Sequence, residues 1–363
     1  MTTTLTPPAP SEASGVPPAP VKAPGGAAWA VYRVHRWALW VWIAYVALGA
    51  GLLLWAWGPA SNGIAAQLEA CPPVTTSLPR SCAEGLSEYL ATVDTYRGAL
   101  RLGFYLIVVA PLLVGGWAAA SLTAREEETG TTRLAWSQSV TPARWLTAKL
   151  VLPAVAVTAG MTLLLWLYRL GHQAGEGGHI TRWLGGRSLW GEDVFTGTGV
   201  VMVPRILCAV AVGVLLGLLF RRTLASLGAG AALMASGTVW FLANRHLLWP
   251  DEIRYGYKLA DPSPRWYATA DEWPLDSGAV TASGDLVGYD GSCLDAVHPS
   301  EGPAGDTGDF YACLKERGLT DVWATYHPTS HFWPLQLVES GIWLAVAALA
   351  VVLSYRVLRR RTA

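Results

Sequence analysis

Charge is scarce in this sequence of 363 residues: Asp, Glu, Lys and Arg together make up 14%, against about a quarter in an ordinary soluble domain. Basic and acidic residues stand at 26 each, so the net charge is zero and nothing argues for a nucleic-acid partner. No GxxxxGK[ST] phosphate loop occurs, and the dipeptide Gly-Lys is never found. The chain is therefore not expected to hydrolyse a nucleotide itself. HExxH, CxxC and GxSxG are missing as well, and no GxGxxG stands between a strand and a helix, so the common hydrolase, redox and dinucleotide signatures lend no support. Lys is rare beside Arg, while Ala, Gly and Pro abound; this fits the codon bias of a high-GC genome and carries no functional signal.

What the sequence does have is apolar length. Hydrophobic residues reach 52%, and there are 19 Trp, a residue that concentrates at the membrane–water interface. A helix needs about 20 apolar residues to cross a hydrocarbon core. Six segments qualify: Trp37 to Trp57, Leu102 to Thr123, Leu150 to Tyr168, Gly199 to Phe220, Leu224 to Ala243 and Leu335 to Val357. The expected fold is an all-α polytopic membrane protein of six transmembrane helices, with a small extracytoplasmic domain between the fifth and sixth. Residues 1–28 are rich in Pro, Ala and Ser and read as a disordered cytoplasmic tail, too polar for the apolar region of a signal peptide. Residues 29–243 hold spans one to five, 244–334 the outer domain with strand-like pieces such as RWYATA and AVTASGDLVGYDG, and 335–363 the sixth span and a basic cytoplasmic tail. Residues 58–100 and 172–198 read as outer loops, the second of them Gly-rich.

Orientation follows from the basic residues in short flanks. Arg33, Arg36, Arg125, Arg133, Arg144, Lys149, Arg221, Arg222, Arg356 and Arg359 to Arg361 all fall on one side of a six-span array. That side is expected to be the cytoplasm of a bacterial cell, with both termini inside a multi-pass plasma-membrane protein. Arg80, Arg97, Arg101, Arg182 and Arg187 oppose the bias. Of the five cysteines, Cys71 and Cys82 share one outer loop and Cys293 and Cys313 another, with Cys208 inside the fourth span. Pairs on an oxidising face fit disulfides Cys71–Cys82 and Cys293–Cys313, although four cysteines allow three connectivities.

Several residues within or beside the spans attract attention. Arg205 lies about 9 Å along its helix from the span's outer end, and Glu339 sits at similar depth in the sixth span. They either pair across helices, line an outer vestibule, or snorkel separately to the headgroups. Arg169 reads as a snorkelling residue. Gly228, Ala232 and Ser236 fall four apart in the fifth span, a small-residue seam read as close packing within the chain. Pro111, Pro153 and Pro204 are expected to kink their spans. His327 and His331 have a spacing seen in metal sites, but no second ligand pair stands nearby, so no metal is assigned.

The cytoplasmic connector 124–149 coincides, to within one residue at each end, with the run REEETGTTRLAWSQSVTPARWLTAKL, residues 125–150. Gly130 permits a sharp exit, Thr131 or Thr132 can cap a short helix from Arg133 to Val140, and Thr141-Pro142 is a second start signal. The short helix would present Leu134, Trp136 and Val140. This run resembles the connector after the second span in the permease subunits of type-2 ABC exporters. There an acidic cluster is followed by Gly-Thr, a short apolar helix, Thr/Ser-x-x-Arg and a Lys opening the third span. Glu127, Glu128, Gly130, Thr131, Leu134, Thr141, Arg144 and Lys149 match that pattern. The stretch TYHPTSHFWPLQLVESGIWLAVAALAVVLSYRVLRRR is similar to a subgroup in which Phe-Trp and Gln-x-x-Glu open the last span. The resemblance implies a coupling helix seated on a separate cytoplasmic ABC ATPase, which would hold the ATP and Mg; this chain itself would need no cofactor. It also implies a homodimer or heterodimer of permeases that exports an amphiphilic or hydrophobic substrate. Glu127 and Glu128 would anchor the connector by ion pairing, to the partner or to Arg133. The competing class is a membrane-anchored sensor whose outer domain catches a ligand.

Overall fold

A computed structural model describes residues 26–70, 80–130, 141–176, 189–255, 272–288, 293 and 307–362. Six of its helices are long and apolar enough to cross a membrane: His35–Ile64, Leu90–Thr129, Pro142–Ala174, Met202–Phe220, Thr223–Leu248 and Thr329–Thr362. They are called the first to sixth spans below. The chain is a multi-pass membrane protein, mostly helical, with one small sheet between the fifth and sixth spans.

The fourth span is the most deeply buried and forms the axis of the bundle. Its Ile206, Ala209 and Val210 pack among Ile107 and Ala110 of the second span, Met161 and Leu164 of the third, and Trp343 and Ala347 of the sixth. Side-chain size sets these approaches. A Cβ on Gly230 of the fifth span would lie 2.6 Å from the Gly115 carbonyl oxygen of the second. Gly213 of the fourth faces that same carbonyl oxygen at 2.8 Å from its own hypothetical Cβ. Glycine lets three backbones meet around one turn of the second span. Immediately afterwards that span loosens into a π-helical turn, Ala118–Ala124, like the one at Ala56–Ala60, a rare distortion that is frequent at functional sites.

The seam expected at Gly228, Ala232 and Ser236 faces outward instead. All three are exposed, and nothing lies within 4 Å of a Cβ built on Gly228. The contact face is Ser226, Gly230, Met234 and Phe241. It starts two positions earlier, about 200° around a helix of 3.6 residues per turn. Residues 58–100 also depart from the loop reading. Ser61–Ala70 is helical, and the second helix begins at Arg80, because Val93, Tyr96, Ala99 and Leu100 give its extension a buried face. Within 172–198, Glu192–Thr198 is a short helix whose Val194, Phe195 and Thr196 are buried in the bundle. Pro111 and Pro153 lie inside helices. Pro204 falls in the first turn of Met202–Phe220, where a missing N–H costs nothing and no kink is required.

The sheet is four-stranded and antiparallel, in the order β1 (Glu252–Tyr255), β4 (Leu319–His327), β2 (Trp273–Thr281), β3 (Leu286–Gly288). Gly284 at φ +89° turns β2 into β3, realising the hairpin within AVTASGDLVGYDG; RWYATA lies outside the described residues. A Cys293–Cys313 disulfide ties the helix Thr307–Glu316 beneath β4 through Leu314 and Val322. Cys71 and the side chain of Cys82 lie outside the described residues, and Cys208 is a buried free thiol. Trp190, at 5.4 Å from Trp273 of β2 and 6.2 Å from Phe332 of the sixth span, fastens the sheet to the bundle.

Candidate functional site

Two polar clusters stand at opposite ends of the bundle, and the sixth span contributes to both. At the sheet end, Arg205 and Glu339 are 1% and 0% exposed and meet at 2.5 Å. Of the arrangements open to them from sequence they adopt the paired one; neither reaches a headgroup. Glu339 also accepts from Arg245 Nε at 3.0 Å, and Arg245 Nη1 reaches Glu192 at 2.6 Å. Thr196 donates to Glu192 at 2.7 Å. Two guanidinium groups and two carboxylates thus balance in apolar surroundings, with the Arg205 guanidinium 5.4 Å from the Trp343 ring centre and that of Arg245 4.1 Å from Phe195. Arg205 Nε and Nη1 are buried with no hydrogen-bond partner among the described residues.

One turn before Glu339, Gln336 accepts from the backbone N–H groups of Val200 and Val201, both at 3.1 Å, and donates to the Phe195 carbonyl at 2.7 Å. It caps the start of the fourth span from the side. Gly199 has no side chain where Gln336 lies, which is why the amide fits. The Gln-x-x-Glu of the sixth span therefore works as a clasp: Gln336 holds the short helix and the fourth span, and Glu339 the fourth and fifth. Arg245 and Glu192 were not singled out from sequence. The signal was weak, an Arg just beyond the fifth span and a Glu after a Gly-rich run, lying 53 positions apart.

At the other end, Glu126, Glu127 and Glu128 sit on the helical turn Arg125–Thr129, and each binds a different element. Glu126 pairs with Lys149 of the third span at 2.6 Å and accepts from Trp145 Nε1 at 3.2 Å. Lys149 is buried and also donates to the Leu122 carbonyl, which the π-helical turn presents. Glu127 faces Arg361 of the sixth span at 3.5 Å and Arg221 at the end of the fourth at 3.9 Å. Glu128 accepts from the backbone N–H of Thr223 at 2.9 Å and from its hydroxyl, supplying the N-terminal cap of the fifth span from another helix. Glu127 and Glu128 are thus satisfied within the chain by Arg221, Arg361 and Thr223.

Gly130 at φ +73° ends this turn, its N–H donating to the Glu127 carbonyl at 3.3 Å. The chain re-enters at Thr141, whose hydroxyl accepts from Arg144 N at 3.4 Å and whose carbonyl accepts from Trp145 N at 3.0 Å, with Pro142 as the first helical residue. Thr131, Leu134 and Trp136 lie outside the described residues, so both ends of the connector are in place and its middle is not described. Arg144 is exposed.

His327 and His331 meet through their Nδ1 atoms at 3.0 Å, and His327 Nε2 faces the His246 carbonyl at 3.0 Å. Burial lowers the His327 pKa below its ordinary value, the first of several causes. Among the described residues no group of three or more metal-ligating side chains gathers. No curated protein and no solved structure matches the chain. The family described as ABC-2 membrane transporter related matches residues 43–245, more than half of the chain, from within the first span to the Arg245 of the clasp. On that match, the chain belongs to the ABC-2 membrane transporter related family.

Proposed function

We propose that the chain is the permease subunit of an ATP-driven exporter, half of a permease dimer, with ATP hydrolysed by a separate cytoplasmic subunit. The end carrying Glu126–Glu128 faces the cytoplasm together with both termini. Two features support this side: the basic residues Arg221, Arg222 and Arg359–Arg361 gathered there, and the Cys293–Cys313 disulfide at the opposite end.

The observation that carries the reading is the triad of carboxylates. The segment 131–140, proposed to dock on the ATPase through Leu134 and Trp136, leaves directly from a turn whose three Glu side chains hold the third, fourth, fifth and sixth spans. A push on the segment acts on those contacts from one side and, through Thr141 and Pro142, directly on the third span from the other. At the far end the Glu339 clasp keeps the sixth span against the fourth and fifth. Separating a buried ion pair without replacing its partners costs about 3–5 kcal/mol, so the closed outer end is the resting arrangement and the nucleotide cycle has to supply the opening. In this reading the two ends together would form the two-state element that coupling requires. The walls around it are aromatic and aliphatic, which suits an amphiphilic or hydrophobic cargo.

The test is co-expression with a candidate ABC ATPase subunit. Leu134→Asp and Trp136→Ala should each reduce ATPase co-purification and abolish ATP-dependent uptake into inverted vesicles, while leaving the thermal midpoint of the isolated chain unchanged. Charge reversal at Glu127 and Glu128 should reduce both co-purification and that midpoint, because these carboxylates bind inside the chain. Undiminished co-purification of the Leu134 and Trp136 variants sinks the docking assignment. A cysteine placed at Ala135 that reacts only with reagents outside the cell sinks the orientation.

A further inference from the structure

Between the first, second and third spans lies a cavity of about 670 Å³, within the size range of small-molecule sites. Tyr32, one turn before the first span, and His35, Trp42 and Tyr45 within it line the cavity, with Trp117 from the second and Val155 from the third. It runs along membrane-crossing parts of all three helices, so the surrounding medium is the bilayer rather than water. At about 1.5 Å per residue its wall from Tyr32 to Tyr45 is about 20 Å long. That exceeds half of a hydrocarbon core of about 30 Å by roughly the depth of a headgroup layer. The groove therefore has the length of one leaflet.

Its two ends differ. At the Tyr32 end, Trp37 and Trp40 are exposed, and the Arg36 guanidinium sits 5.9 Å from the Trp37 ring centre. Exposed Trp and Tyr beside Arg mark the interfacial layer. Arg36 follows Tyr32 by four residues and precedes Leu39 by three, which puts it beside the lining face. Deeper in, the polar atoms are closed off: Trp42 Nε1 donates to the Ala156 carbonyl at 3.0 Å, and the Tyr45 hydroxyl donates to the Leu106 carbonyl. Nearer the interface, His35 Nε2 is buried with no hydrogen-bond partner among the described residues, its ring 6.1 Å from that of Trp117. The groove thus offers an apolar trough, one unsatisfied nitrogen near its interfacial end, and a cation just beyond it.

We propose that this groove binds one phospholipid of the adjoining leaflet, with an acyl chain along Leu39, Trp42 and Tyr45, an ester oxygen at His35 Nε2, and the phosphate at Arg36. Burying an acyl chain there satisfies the apolar walls, and the lipid's own polar atoms meet His35 and Arg36 in the order in which they occur along the molecule. The site requires only that the chain crosses a bilayer, and it does not depend on transport or on the ATPase.

Native mass spectrometry of the full-length chain in mild detergent reads the site directly, with phosphatidylglycerol and phosphatidylcholine as added probes. The wild type should keep a single phospholipid through detergent washing, and Ala38→Trp, which fills the trough, should lose it. His35→Phe keeps the ring against Trp117 and removes the nitrogen; it should weaken retention about two- to tenfold, the worth of one hydrogen bond, at an unchanged thermal midpoint. Arg36→Glu should remove any preference for phosphatidylglycerol. If Ala38→Trp misfolds, the His35 and Arg36 variants decide alone. Equal lipid retention in those two and the wild type overturns the proposal. So does a change in oligomer mass rather than in bound lipid, which would assign the groove to a second copy's helix. Equal loss of lipid in a Leu224→Trp control, at an exposed position of the fifth span, would also overturn it.

Discussion

Replacing Glu339 with Gln removes the single carboxylate that holds two guanidinium groups in the clasp. Arg205 then loses its ion pair at 2.5 Å, with Nε and Nη1 already lacking partners, while Arg245 keeps Glu192 at 2.6 Å. The cluster passes from balanced charge to one uncompensated cation where water cannot reach, at a cost of about 3–5 kcal/mol. At about 2 °C per kcal/mol for a chain of this size, the thermal midpoint should fall by roughly 6–10 °C. Arg205→Met should cost about half as much, because Glu339 keeps Arg245 at 3.0 Å and the Trp343 indole N–H at 3.4 Å. Combining the two leaves Arg245 and Glu192 balanced, so the double variant should be about 2–3 kcal/mol more stable than the sum of the singles predicts. Tryptophan fluorescence during a thermal ramp in detergent measures all four proteins of the cycle. A Glu339→Gln midpoint within about 2 °C of wild type, or strictly additive losses, would refute the reasoning.

Three further outcomes follow from other contacts. Glu126→Ala strands the buried Lys149 ammonium and should cost about 3 kcal/mol; adding Lys149→Met should recover most of it in the same thermal assay. Gly230→Ala places a methyl against the Gly115 carbonyl oxygen, so the second and fifth spans must part at about 1–3 kcal/mol; Gly228→Ala, on the exposed face, should be near neutral, and equal effects would show the seam to be misplaced. Because burial holds the folded His327 pKa below its unfolded value of about 6.5, the unfolded state binds more protons at low pH. The sheet's stability should be fully present above pH ~6.5 and decline as pH falls through the window below it. Limited proteolysis against pH should show this decline, and His327→Phe should flatten it.

The spans were legible because hydropathy needs no partner to be read: each segment from Trp37–Trp57 to Leu335–Val357 overlaps a membrane-crossing helix. Helix phase was not. Gly228, Ala232 and Ser236 have the right period and the wrong face, since a helix bathed in lipid is apolar all round and has no polar stripe to orient it. Residues 58–100 read as loop because polar residues on a helix projecting past the bilayer have a loop's composition; the buried row Val93, Tyr96 and Leu100 was the available sign. Arg205 and Glu339 could be flagged by cost alone, but their link through Arg245 to Glu192 depends on tertiary geometry. The acidic run 126–128 shows the same limit: composition marked it as an anchor, and only the fold distributes its three side chains to four neighbouring spans.

The sixth span is pinned near both tips, by Gln336 and Glu339 at one and by Arg361 at the other, where Arg361 also donates to the Leu218 carbonyl at 2.6 Å. From Phe332 to Thr362 this rod is about 45 Å long. It can neither slide nor spin without tearing one of its moorings, and both moorings include the fourth span. The two helices must therefore travel as one strut. Among the described residues the first span shares no such polar tie with it, fastening instead to the second and third through Tyr45 and Trp42. The second span is tied to both helices of the strut through Glu127, so a rearrangement that spares these ties parts the strut from the first span, and spectroscopic labels on those two elements should report two discrete separations rather than a continuum.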